Sequence, residues 1–206
     1  MNNTDEFLIK EYESAQRLTY HVDDLRSKLT QFFIALSGVA LAAISTIATK
    51  DIEPILLGMS WRIAASIAVI GCASLGVLFV LIVARLRRTQ IEHFHITNSI
   101  RQYFLEQHDE PEKLWKVVGL SASTIPSLTR CSGSYYWILL IIILTSFLFS
   151  LGIFLLTANL VAVGLCGYLF TATIFIMSIF ALDKIYMKAA KFQPKERANK
   201  QIKSNS

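Results

Sequence analysis

The side chains of this 206-residue chain whose types bear chemistry are four histidines, two adjacent aspartates and a knot of three arginines. His93 and His95 stand two apart, which on a helix turns their rings to different sides. His21 and His108 lie far off in sequence, so a metal site would need tertiary folding to collect its ligands. Packing or solvation is the plainer reading, and neither metal nor cofactor is expected. Asp23 and Asp24, with Arg26 and Lys28, read as a solvated face. Arg85, Arg87 and Arg88 close an apolar run and read as a topology anchor; an anionic-lipid or charged-partner contact is the sharper alternative. There is no nucleotide-binding, kinase, deaminase or triad pattern, so the chain is not expected to be an enzyme.

The elements around these residues are unusually apolar. The chain is 53% hydrophobic and 17% charged, against about a quarter charged in a soluble domain. None of the 35 charged residues falls in 31–49, 63–84 or 131–182. A helix needs roughly 20 apolar residues to cross the hydrocarbon layer, and the third gap is long enough for two crossings. The expected fold is therefore all-α, an integral membrane protein with four transmembrane helices at 31–49, 63–84, 136–156 and 160–182. The first two extend into a cytoplasmic helical stalk. Thr157, Ala158 and Asn159 are left to turn the last hairpin, with Asn159 placed to cap the returning helix. Cys72, Cys131 and Cys166 lie in or beside apolar runs and are expected as reduced thiols. The polar, acidic N-terminus lacks the pattern of a cleavable signal, so the first run is expected to remain.

Basic residues set the orientation. Four Lys/Arg precede the first span, seven lie in 85–135 and seven in 183–206; the external loop 50–62 has only Lys50 and Arg62. Positive charge stays on the cytoplasmic side, so both termini are expected there. The net charge of +5 is then a matter of lipid and topology, and no direct nucleic-acid contact is expected.

Residues 5–28 contain neither proline nor glycine, and Leu8, Tyr12, Ala15, Val22, Leu25 and Leu29 recur at helical spacing, broken around Leu18 and Thr19. Region 1–30 should run into the first span as one helix, about 65 Å long at 1.5 Å per residue. Region 85–108 continues the second span in the same way, with Ile96, Ile100, Tyr103 and Phe104 near one face. The two extensions should pair antiparallel. Residues 112–118 read as a short interfacial helix presenting Leu114, Trp115 and Val118, residues 121–134 as a loop, and 183–206 as a basic tail.

The spans contain no Asp, Glu, Lys, Arg or His, whereas ion-coupled carriers place ionisable groups at depth. They carry small residues instead: Ala35, Gly38, Ala42, Ser45 and Thr49 in the first, and Ala64, Ala68, Cys72 and Gly76 in the second. Small residues let helix backbones approach closely. The plain reading is packing within the four helices; the sharper one is a subunit contact or pore lining, with Ser37, Ser45 and Thr46 facing a pathway gated by dewetting.

The passage LRSKLTQFFIALSG into the first span, and VARLRRTQIEHFHITNSIRQYFLE out of the second, resembles two bacterial groups. These are the SLATT-type effectors of conflict systems and the RipA-like octameric membrane proteins. The likeness covers roughly the first half of the chain and rests on layout, so it carries over no functional residue. SLATT-type proteins often have two spans where this chain has four. The resemblance implies a membrane-disrupting or pore-forming role, or a stable oligomer. The expected partners are the bilayer and further copies of the chain. The expected role is a homo-oligomeric, channel-like or membrane-perturbing effector in stress or phage defence. The alternative is a membrane-embedded sensor or scaffold that recruits a soluble cytoplasmic protein.

Overall fold

The computed structural model describes residues 3–49, 60–107, 133–160 and 165–191. Of these, all but Ser60, Gln107 and Lys191 are helical. The helices are α1 (Asn3–Thr49), α2 (Trp61–Glu106), α3 (Gly133–Leu160) and α4 (Leu165–Ala190). Each carries a stretch long and apolar enough to cross a membrane. The chain is thus an all-α protein with four membrane-spanning helices. The external loop, the interfacial helix at 112–118, most of the loop at 121–134, Cys131, His108, Trp115 and the tail beyond Lys191 lie outside the described residues.

α1 and α2 are each unbroken over more than 45 residues. Neither contains proline, and the glycines of each, Gly38 in α1 and Gly71 and Gly76 in α2, fall in apolar stretches. The last connection differs from its expected place. α3 continues through Thr157, Ala158 and Asn159 to Leu160, and α4 starts at Leu165. Asn159 therefore lies inside a helix and does not begin the returning one. The Thr157 hydroxyl donates to the carbonyls of Ile153 and Phe154, a local bond that a helical threonine makes without leaving the helix.

The chain divides into two compact units. Unit 1 takes Met1–Leu25, Arg85–Leu128 and Ala189–Ser206; unit 2 takes Arg26–Ala84 and Thr129–Lys188.

Unit 1 pairs the start of α1 with the end of α2, antiparallel. The inner face of α1 runs through Leu8, Tyr12, Ala15, Thr19 and Val22, alternating steps of four and three. Thr19 fills the gap that an apolar reading leaves, with its hydroxyl on the Ala15 carbonyl at 3.0 Å, while Leu18 is exposed. The facing seam of α2 is not the expected stripe. Ile100 is buried, but Ile96 and Tyr103 are exposed and Phe104 is half-buried. Instead the seam buries Arg87, Gln90, Ile91, Thr97, Asn98 and Leu105. It is half polar, which an apolar template cannot find.

In unit 2, α3 is the centre and α4 the periphery: 44% of the apolar window of α3 is buried, against 6% for α4. The core comprises Phe33 of α1, Val69, Ala73 and Val80 of α2, Ile138, Ile141, Ile142 and Leu148 of α3, and Tyr186 of α4. Two glycines let backbones close in. A Cβ on Gly76 would lie 2.7 Å from Phe33 Cζ and 2.8 Å from Thr145 Cγ2, and one on Gly152 would lie 2.6 Å from Ile70 Cγ1. At the second contact the Ser66 hydroxyl donates to the Gly152 carbonyl at 2.7 Å. Small residues with an interhelical hydrogen bond are the usual way helices adhere in lipid.

Candidate functional site

The small residues of α1 and α2 have different surroundings. Ala35, Gly38, Ala42 and Ser45 are exposed, and a Cβ on Gly38 would meet nothing within 4 Å. The side chain of Thr49 lies outside the described residues. On α2, Gly76 is buried, Ala64 and Cys72 are half-buried, and Ala68 is exposed. The α1 stripe is therefore turned away from the described core of its own unit, because Phe33 and Ser37 occupy the inward face. Ser37 is buried with its hydroxyl on the Phe33 carbonyl at 2.7 Å, while Ser45 and Thr46 are exposed. The three hydroxyls suggested for a pathway do not share one surface. Cys72 and Cys166 are free thiols.

The three arginines also part company. Arg85 is exposed. Arg88 approaches Glu92 at 3.6 Å and keeps 40% of its side chain in solvent. Arg87 is turned inward, with 6% of its surface exposed, and donates to Gln90 Oε1 at 2.6 Å. Gln90 in turn donates through Nε2 to Asp23 Oδ1 at 3.0 Å. A buried guanidinium needs such acceptors, since leaving it without them costs several kcal/mol (~3–5 kcal/mol). Arg87 thus organises unit 1, and only Arg85 presents itself fully to lipid or a partner. Asp23 belongs to the same network and is half-buried.

One helical register accounts for a second polar contact in unit 1. Arg101 donates to the Tyr12 hydroxyl through Nη2 at 2.7 Å and Nε at 3.2 Å, with its guanidinium carbon 5.4 Å from the ring centre. Tyr12 to Asp23 and Arg101 to Gln90 are equal steps along opposed helices, about three turns each. Both contacts therefore specify the same alignment of α1 with α2. His93 buries Nδ1 with no hydrogen-bond partner among the described residues, and no three His, Cys, Asp or Glu side chains cluster among them.

Sequence reasoning missed the buried acid of unit 2. Asp183, 7% exposed, accepts a 2.6 Å hydrogen bond on Oδ1 from the Tyr135 hydroxyl. That length is in the range of charge-assisted O–H···O bonds. The Tyr135 ring lies 6.3 Å from that of Tyr186. Asp183 falls one residue past the apolar run, at the head of the basic tail 183–206. The available signal was the helical spacing of Asp183 and Tyr186, which puts both on one face of an unbroken helix. Of the three aromatics that open α3, Tyr135 is buried, while Tyr136 and Trp137 are exposed.

No known protein family matches the sequence, and neither curated proteins nor solved structures match it.

Proposed function

We propose that this chain is a bacterial inner-membrane protein that works as a homo-oligomer, as a channel-like or membrane-perturbing effector in stress or phage defence. Both termini and unit 1 face the cytoplasm, in keeping with the distribution of Lys and Arg. No catalytic step is assigned to it. The observation that carries the assembly is the exposed stripe Ala35, Gly38, Ala42 and Ser45, with open space beside Gly38. Such a face offers close backbone approach to a second copy rather than bulk to lipid. Charge-free spans suit a passage of weak selectivity, and the layout of α1 and α2 is similar to that of SLATT-type and RipA-like proteins. Induced expression with a membrane-potential dye, alongside native mass spectrometry of the detergent-extracted protein, tests this reading. Depolarisation together with a defined oligomer supports it; a monomer that leaves the potential unchanged sinks it.

The second reading is a membrane scaffold for a soluble cytoplasmic protein. It draws on Ile96 and Tyr103, apolar side chains of unit 1 that remain exposed, and on Arg85. Affinity purification separates the two. A soluble protein in constant ratio to the chain favours the scaffold, and a pure homo-oligomer that conducts in planar bilayers favours the effector.

A further inference from the structure

One face of α4 in unit 2 passes from apolar to basic without a break. Thr173, Met177 and Phe180 are exposed, and so are Lys184 and Lys188, which follow at steps of four. Steps of three and four keep all five on one side of a helix. The other side is the packed one, with Leu182, Asp183 and Tyr186 buried. Asp183, the acid next to Lys184, is turned to that side and held by the Tyr135 hydroxyl. Neither lysine has an acid within ion-pair distance among the described residues. The sequence after Lys188 adds five Lys and Arg against one acid, Glu196, so the tail brings no acidic stretch to occupy them.

The depth of the two lysines selects what meets them. α3 and α4 run antiparallel, since Phe154 meets Tyr168 at one end and Tyr135 meets Asp183 at the other. The start of α3 is therefore level with this part of α4. Tyr136 and Trp137, the next residues of α3, are exposed, and such aromatics favour the boundary between acyl chains and headgroups. They lie about 1.5 and 3 Å to the apolar side of Tyr135, while Lys184 and Lys188 lie about 1.5 and 7.5 Å to the polar side of Asp183. That puts the ammonium groups at headgroup level, where lipid phosphate is the fixed anion. A second helix fits this face less well. Helices adhere in lipid through small residues, whereas Met177 and Phe180 are bulky and 64% and 68% exposed. An acyl chain lies against such side chains without a matching shape.

We propose that the outward face of α4 binds an anionic phospholipid, its phosphate held between Lys184 and Lys188 and an acyl chain laid along Phe180, Met177 and Thr173. Four residues separate the lysines by about 6 Å along the axis, so both ammonium groups reach one phosphate. This does not rest on the oligomeric reading, since every residue of the face comes from one helix.

The test uses the full chain in nanodiscs of equal phosphatidylglycerol and phosphatidylcholine, with native mass spectrometry counting the lipids that stay bound on release. Phosphatidylglycerol should be retained in excess. Lys184→Gln with Lys188→Gln should lower the ratio of the two lipids about fivefold, the loss expected for one cation's attraction to an anionic surface. Lys184→Arg with Lys188→Arg should keep the wild-type ratio. Lys200→Gln with Lys203→Gln removes the same charge from the tail and should lower the ratio far less. A wild-type ratio in the Lys184→Gln, Lys188→Gln protein overturns the proposal. If that protein also loses subunits, the face belongs to a second copy. An equal loss from the tail variant overturns the proposal too, because net charge alone then attracts the lipid.

Discussion

Units 1 and 2 use the same kind of helix and solve pairing by opposite means. In unit 1 the alignment of α1 with α2 is specified by polar groups: Arg101 on Tyr12, and the relay from Arg87 through Gln90 to Asp23. In unit 2 the fit of α2 against α1 and α3 is set by the absence of side chains, at Gly76 against Thr145 and Phe33 and at Gly152 against Ile70. The physical reason lies in the alternatives open to each helix. A polar group buried in the wrong register goes unpaired, so hydrogen bonds discriminate sharply between alignments. Among apolar side chains in lipid no alignment is favoured by burial alone, and shape must discriminate. Unit 1 should therefore be sensitive to lost hydrogen bonds and unit 2 to added volume.

Substitutions in detergent-solubilised protein, followed by thermal unfolding in circular dichroism, sharpen or break that contrast. The largest effect is expected from Gly76→Leu, whose side chain must displace Phe33 and Thr145, at a cost of about 3 kcal/mol. A tolerated leucine there would show that shape does not align the unit 2 helices. Gln90→Leu comes next, at about 2–3 kcal/mol, because it removes hydrogen bonds to two charged groups at similar volume. A neutral result would mean that the relay does not hold unit 1 together.

Tyr135→Phe should cost about 1.5–2 kcal/mol, since it removes a single hydroxyl from the buried Asp183 carboxyl. With the Ser66–Gly152 contact it is where unit 2 is expected to behave like unit 1, and a loss under ~0.5 kcal/mol would remove it from that comparison. Gly38→Leu should leave subunit stability within about 0.5 kcal/mol, as for other substitutions at open positions, while reducing the oligomer seen by native mass spectrometry. Its contrast with Gly76→Leu separates the outward small residues from the inward one. Glu6→Ala should have the smallest effect. The Lys10–Glu6 pair, at 2.8 Å, leaves 72% and 58% of its side chains in solvent, and such pairs contribute under about 0.5 kcal/mol. A larger loss would mean that exposed charges, too, hold unit 1.

Much of this architecture is legible in composition. Four apolar, charge-free runs and two long stretches free of proline and glycine mark four helices and the two that extend far beyond a span. The candidate site is legible only in part. Ala35, Gly38, Ala42 and Ser45 recur at steps of three and four, and Ala64, Ala68, Cys72 and Gly76 at steps of four, yet only Gly76 among them is buried. Periodicity reports that residues share a face and is silent on what that face meets. The seam of α2 is hidden from the sequence because Arg87, Thr97, Asn98 and Arg101 look like surface residues until the packing of α2 on α1, with Gln90 on Asp23 and Arg101 on Tyr12, is known. α3 runs on past Thr157, whose hydroxyl bonds the backbone of its own helix, so Asn159 does not start the returning helix.

The sequence by itself determined that this protein is helical and crosses a membrane four times, since hydrocarbon tolerates neither charge nor an unpaired backbone. Only the tertiary structure decided that Arg87 turns inward, that Asp183 meets Tyr135 across 48 residues of sequence, and that Lys184 and Lys188 stay exposed. Each depends on which remote segments pack together, and no local pattern of residues carries that information.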